Sequence, residues 1–268
     1  MKKFIVLLAL VGIVMGCDND NDSEVKPTTV KLDYYEEMFD IPDLDFQPQL
    51  RTTYDYNFAG MLEGYTFYGY DPDTNTMLEQ RHFEFNYADG NVDKIEGFLL
   101  NNTAPYISYT YQYDGNSVVS RIIENNYAAG VNSEATFSYP EANVVHVAYQ
   151  YSNGGSFQYE MTFEGDNVRN DKTTRGAQLC SDGKYTYDQH PNPFRTLGYT
   201  DYTLINVSTN NKLTEDVNYV ACAFPNLKAE SYEYIYNSDG YPIEVVTKYK
   251  PHDGITPKST KKFYYKLM

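Results

Sequence analysis

The residues of this 268-residue chain that could do chemistry are four histidines, three cysteines and a large surplus of acids. His82, His146, His190 and His252 stand far apart, and none pairs with another at metal-ligand spacing; no HExxH or CxxC occurs. His146 falls within "NVVHVAY" and reads as a strand residue. The best imitation of a cation loop is "DPDTNTMLEQRH", in which Asp71, Asp73 and Asn75 take the first, third and fifth positions of a calcium loop. The sixth position, which needs glycine, is Thr76, and the twelfth, which needs a bidentate glutamate, is His82. That stretch is therefore expected to be a hairpin turn, and no metal or cofactor is expected. No nucleophile elbow, phosphate loop or dinucleotide fingerprint occurs either. With 37 Asp plus Glu, some pair must fall close in space, so a glycoside hydrolase using two carboxylates stays open but gains nothing from their number.

The cysteines say more. The chain opens "MKKFIVLLALVGIVMGC": two lysines, an apolar run from Phe4 to Met15, then Cys17. A basic start and a short apolar core make a secretory leader, too short for an ordinary membrane span of about 20 residues. Val14-Met15-Gly16-Cys17 resembles a bacterial lipobox. The resemblance implies cleavage before Cys17, acylation there, and the lipid bilayer as a partner; several acyl chains, at roughly 0.8 kcal/mol per buried methylene, hold where one does not. "DNDNDSE", residues 18–24, resembles the acidic tag of Bacteroidetes surface lipoproteins and implies an outer-membrane, cell-surface address. Residues 1–16 are thus expected to be a signal peptide. Residues 17–49 are expected to be a lipidated acidic tether, with a short ordered piece at "LDYYEEMFDI". Setting Cys17 aside leaves Cys180 and Cys222, an even pair in a compartment that permits oxidation. A disulfide and two separate buried thiols remain equally open.

Charge narrows the partners. The net charge is -16, and it opposes both nucleic-acid binding and adsorption to anionic lipid. A solvated acidic surface is its simplest reading.

The elements that would position any site show in the aromatic residues: 29 Tyr, 14 Phe and no Trp. Rings recur at alternate positions, in Tyr54-x-Tyr56-x-Phe58, Phe83-x-Phe85-x-Tyr87, Tyr109-x-Tyr111-x-Tyr113, Phe137-x-Tyr139, Tyr159-x-Met161-x-Phe163, Tyr185-x-Tyr187 and Tyr232-x-Tyr234-x-Tyr236. The spacing is roughly 26 residues, doubled between Tyr185 and Tyr232 as if one copy had drifted. Turn residues such as Asp-Gly and an aliphatic strand follow each set, as in "YDGNSVVSRII". Alternation puts the rings of a set on one strand face. The expected fold is all-β: an antiparallel meander of repeated hairpins with few helices, strongly curved or barrel-like, forming a single domain over residues 50–268. Tyr109, Tyr111, Tyr113, Tyr185, Tyr187, Tyr232, Tyr234 and Tyr236 form the candidate aromatic face. Because Tyr outnumbers Phe and a buried hydroxyl must find a partner, the hydroxyls are expected to rim an open groove or mouth. "QHPNPF", residues 189–194, reads first as a rigid connection that ends a strand and second as a functional loop.

The repeat loosely resembles the YD-type repeats of bacterial surface proteins. "YTYDQHPNPF", "LINVSTNNKLTE" and "YEYIYNSDGYPIEV" resemble more closely a tyrosine-rich domain of unknown function from Bacteroidetes lipoproteins. That resemblance implies the fold and the location and brings no catalytic residue. The expected function is a non-enzymatic, surface-anchored binding or interaction protein with a glycan or peptide ligand. A surface hydrolase and a purely structural envelope component are the alternatives. Absence of Trp, the strongest stacking ring, counts against the glycan.

Overall fold

Strand propensity and turn chemistry build this molecule one hairpin at a time. Its strands run in chain order as β1 (Val30–Asp40), β2 (Gln49–Tyr56), β3 (Leu62–Asp71), β4 (Thr76–Ala88), β5 (Asn91–Leu99), β6 (Ile107–Tyr113), β7 (Val119–Asn126) and β8 (Val131–Glu141). They continue as β9 (Val144–Tyr151), β10 (Ser156–Glu164), β11 (Asn167–Arg175), β12 (Gln178–Pro191), β13 (Asn210–Tyr219), β14 (Ala229–Tyr236), β15 (Pro242–Tyr249) and β16 (Lys258–Leu267). The computed structural model describes residues 29–40, 49–199, 207–220, 222, 229–249 and 258–268. Every strand pairs with its sequence neighbours, and β1 pairs with β16, so the meander closes into a barrel. Among the described residues the one helical element is a 3-10 turn at Pro193–Leu197, between β12 and β13.

Three sequence expectations change. Val30–Asp40, expected to be tether with a short ordered piece at residues 32–41, is ordered throughout and is barrel wall: it pairs with β16 from Val30↔Leu267 to Asp40↔Lys258 and also with β2. A bulge between Leu32 and Tyr34 breaks its alternation and hides the strand. Next, no copy has drifted between Tyr185 and Tyr232; that interval holds β13 and two long connections. A further copy, Phe263-x-Tyr265, lies on β16, and its return strand is β1 from the other terminus. Finally, Phe58 is no third ring, for it lies fully exposed in the turn after β2. Cys17 and the leader fall outside the described residues.

Alternation sorts the wall into two faces. Inward positions carry the core, including Leu32, Leu62, Val147, Met161 and Val168, each essentially without solvent contact. Fully burying side chains of this size is worth roughly 1.5–3 kcal/mol each. Outward positions carry charges paired across neighbouring strands. Glu36 bonds Arg51, and Arg121 bonds Glu134. Glu160 lies 3.1 Å from His146 and 3.8 Å from Lys172, and Lys258 lies 3.0 Å from Asp40. Such exposed pairs add about 0.2–1 kcal/mol each and favour one register over its slips.

The tyrosine hydroxyls have a use that the sequence reading missed. Tyr56 donates to the Leu32 carbonyl at 2.8 Å, Tyr87 to Leu62 at 2.8 Å, and Tyr113 to Val92 at 2.7 Å. Tyr139 donates to Val119 and Tyr265 to Pro242, both at 2.7 Å, and Tyr234 to Lys212 at 3.0 Å. In every case a ring on an even strand reaches the start of the preceding odd strand. Bulges lie at several of these rings, for example between Asn86 and Tyr87 and between Gln112 and Tyr113. A bulge interrupts the ladder, and the hydroxyl stitches one hairpin to the next beside it. These hydroxyls do not rim an open mouth, because the protein's own carbonyls accept them.

Candidate functional site

The connection from β12 to β13 departs from the hairpin rule. Asn192 caps the 3-10 turn by accepting from Phe194 N at 3.1 Å, and Pro193 presets its first residue. Gly198 ends it in the left-handed region, with φ +81°. Instead of passing over the rim, the turn lies against the inner wall. Thr196 Oγ1 accepts from Leu32 N at 2.9 Å, its carbonyl accepts from Lys31 Nζ at 2.9 Å, and Leu197 is buried. Phe194 meets Tyr35 edge-on at 5.8 Å, and Tyr199 meets Phe85 at 4.9 Å. "QHPNPF" is therefore more than a strand stop: it forms a plug at the tight-turn end of the barrel.

Above the plug lies an interior cavity of about 350 Å³. Rings supply much of its lining, among them Tyr35, Tyr54, Tyr65, Phe67, Tyr232 and Tyr234. Glu37 and Tyr249 bring the lining toward the C-terminal ends of β1 and β15.

Two lysines stand among these rings. Lys261 Nζ is 4.7 Å from the Tyr35 centroid and 5.7 Å from that of Phe194. Its carboxylate partner Glu37 is 3.4 Å away and also accepts from Ser259 Oγ at 2.9 Å. Burial pulls the Lys261 ammonium down, but Glu37 with Tyr35 and Tyr249 more than offsets it, so its pKa is raised and the group stays charged. Lys212 Nζ is 4.7 Å from the Tyr185 centroid and 5.7 Å from that of Tyr232. It bonds Glu215 at 2.8 Å, and Tyr232 donates to the same carboxylate oxygen at 3.0 Å. Under Lys212, Tyr185 donates to Asp171 at 2.9 Å, and burial raises the pKa of both. Polar groups complete the lining. Asn192 donates to the Ser208 carbonyl at 3.0 Å, and Ser208 Oγ donates to the Tyr187 hydroxyl at 3.0 Å.

The expected aromatic face is divided. Tyr187, Tyr232 and Tyr234 line the main cavity, and Tyr185 is buried beneath Lys212. Tyr111 and Tyr113 line a second pocket of about 300 Å³ with Tyr199, and Tyr109 packs against the core. Tyr236 bonds Asp188 and stacks on His190 at 4.0 Å. Cys180 and Cys222 are bonded, with Cα atoms 4.8 Å apart. The calcium-like stretch is a turn in which Asp73 N and Thr74 Oγ1 donate to Asp71. Sequence reasoning passed over Lys212, Lys261, Glu37 and Phe194. Lys261 was within reach, since it shares the alternation of Phe263 and Tyr265 on β16. Glu37 lies in the short ordered piece expected within the tether, away from the expected barrel.

Comparisons add little to this geometry. No protein-family model matches the chain, and no curated protein matches it. Two solved structures align over most of it. One is a porin-like protein from Bacteroides uniformis, with 13% identity, 88% of this chain and 96% of that chain covered, and a TM-score of 0.44. The other is a porin-like protein from Bacteroides vulgatus, with 12% identity, 89% and 99% covered, and a TM-score of 0.44. Identities this low carry no function across.

Proposed function

We propose that this chain is a lipid-tethered outer-membrane protein whose barrel stands in water and holds a small ligand in its interior. The observation that carries this reading is the cavity, where aromatic faces, two ammonium groups and several amide and hydroxyl groups converge. Apolar pockets with a few placed polar groups are the usual form of a ligand site. The outer wall supports the setting. A membrane barrel turns an apolar band to lipid and polar groups to its lumen. Here the buried apolar side chains face inward, and ion pairs join strands on the outside among scattered exposed apolar residues such as Met38 and Ile235. The leader and the Val14-Met15-Gly16-Cys17 motif supply the tether.

The binding reading is better supported than the hydrolase. Glycoside hydrolysis needs two carboxyl groups roughly 5–9.5 Å apart across the scissile bond. Glu37 is the one carboxylate among the described residues lining the cavity, and Lys261 and Ser259 engage it.

Two measurements test the proposal. Cells fed a fatty-acid analogue should label the wild type and not Cys17→Ser. Native mass spectrometry of protein gently extracted from its own membrane should show a bound small molecule. That molecule should be lost from Val245→Trp, which fills the cavity, while the variant still melts cooperatively. A ligand retained by the filled variant would move the site elsewhere.

A further inference from the structure

The charges inside the cavity say which ligands suit it, given that the cavity is a binding site. Cationic ligands are the usual guests of aromatic cages. Here the protein's own ammonium groups already occupy that role, Lys261 beside Tyr35 and Phe194, and Lys212 beside Tyr185 and Tyr232. A cationic guest would meet two like charges in a partly desolvated space.

The two lysines also hold donors in reserve. Each ammonium carries three N–H groups and no acceptor. Lys212 gives one to Glu215, and Lys261 has Glu37 at the longer distance of 3.4 Å. Tyr232 and Ser259 share the load on those two carboxylates. The amide groups of the lining are spent on the fold, as Asn211 is on Asp188 and on the His190 carbonyl. The unfilled hydrogen-bonding capacity is thus donor-rich.

Register brings the lysines together. Tyr234 pairs with Val245, and Val245 with Lys261, so these three form one inward row across β14, β15 and β16. Tyr234 also bonds the Lys212 carbonyl, which sets Lys212 at the other end of that row. A ring lying on Tyr234 and Val245 would have an ammonium at either end.

We propose that the cavity selects a small ring-bearing acid, of the sugar-acid class, whose carboxylate is taken by Lys261 while the aromatic wall takes its ring and Lys212 stands at the ring's far end. A charge-assisted bond to carboxylate is roughly twice as strong as its neutral counterpart, which gives an acid its advantage over a neutral sugar of equal shape.

The test is calorimetric titration of the detergent-extracted full-length protein with D-glucuronate and with D-glucose, which differ only at one carbon. The expected result is glucuronate binding at least tenfold tighter. Lys261→Met alone would strand Glu37, so the decisive variant is Lys261→Met with Glu37→Gln, checked for a cooperative melt. In it the preference should shrink several-fold, with glucose affinity little changed. Equal affinity for the two sugars in the wild type would overturn the acid assignment and leave the binding cavity standing. A preference that survives in the double variant would overturn the role of Lys261. If neither sugar binds, the sugar-acid assignment falls, and the mass-spectrometric result decides whether the cavity binds anything.

Discussion

At the scale of the residue, tyrosine solves a problem that phenylalanine cannot. Each repeat needs a flat ring for the inner wall and a donor for a carbonyl next to a break in the ladder. Tyr87 does both: its ring packs on the core, and its hydroxyl donates to Leu62 at 2.8 Å. Tyr87→Phe should keep the ring and orphan the carbonyl, at a cost of about 0.5–1.5 kcal/mol. Tyr87→Ala should cost about 3–5 kcal/mol, the range for truncating a large aromatic residue. Denaturant melts of the two variants check the ordering, and equal losses would mean that the hydroxyl, not the ring, carries the contact. The rings were legible in the sequence because period-2 alternation is local. The carbonyl partners were not, for they lie twenty or more residues upstream and become neighbours only when hairpins stack. Tyr outnumbering Phe was a true signal of hydroxyls in use, and its expected outlet was misjudged: the hydroxyls meet backbone rather than an open rim.

At the scale of the element, the turns and strands follow local rules, and the plug does not. Asp89 and Gly90 both take positive φ, +51° and +80°, the pattern of the two-residue hairpin turn expected from "ADGN". "QHPNPF" offers the same kind of local evidence, a capping asparagine between prolines, and that evidence locates a short turn without saying that it enters the barrel. Only tertiary contacts place it, chiefly Thr196 against β1. Thr196→Val keeps the shape and leaves Leu32 N without its acceptor, which should cost about 1–3 kcal/mol. Amide hydrogen exchange should show faster exchange at Leu32 and the plug, while β8 and β9 keep the wild-type rate. Uniform acceleration around the barrel would show instead that the plug holds the whole wall. β1 was obscured for a related reason. Its bulge shifts the inward set from Leu32 to Tyr35, and an alternation search fails across that step.

At the scale of the whole molecule, closure makes the repeat circular. β16 and β1 form the last hairpin without a turn: Thr29 and Met268 exchange backbone bonds at 3.0 and 3.1 Å where a turn would stand. A closed wall has no free edge, and it shuts its rings away from water on the inside. The consequence can be read in alkali. Burial pushes the phenol of Tyr87 up to about 12, with help from Tyr113, and that of Tyr187 to about 12 as well. Burial raises Tyr232, Tyr234 and Tyr265 beyond them. In the unfolded chain a phenol loses its proton near ~10. The folded barrel therefore holds these protons at pH values where the unfolded chain has lost them. Stability from this source is fully present below pH ~10 and drains away as pH rises toward the folded values. Many rings draw on it together, so the loss should be steep. Phenolate absorbance and far-ultraviolet circular dichroism, followed on one sample, should show the buried rings ionising in the same step that melts the sheet, well above pH ~10. Rings that ionise one after another near pH ~10 with the strand signal intact would mean that water reaches them in the folded state and that the interior is not packed.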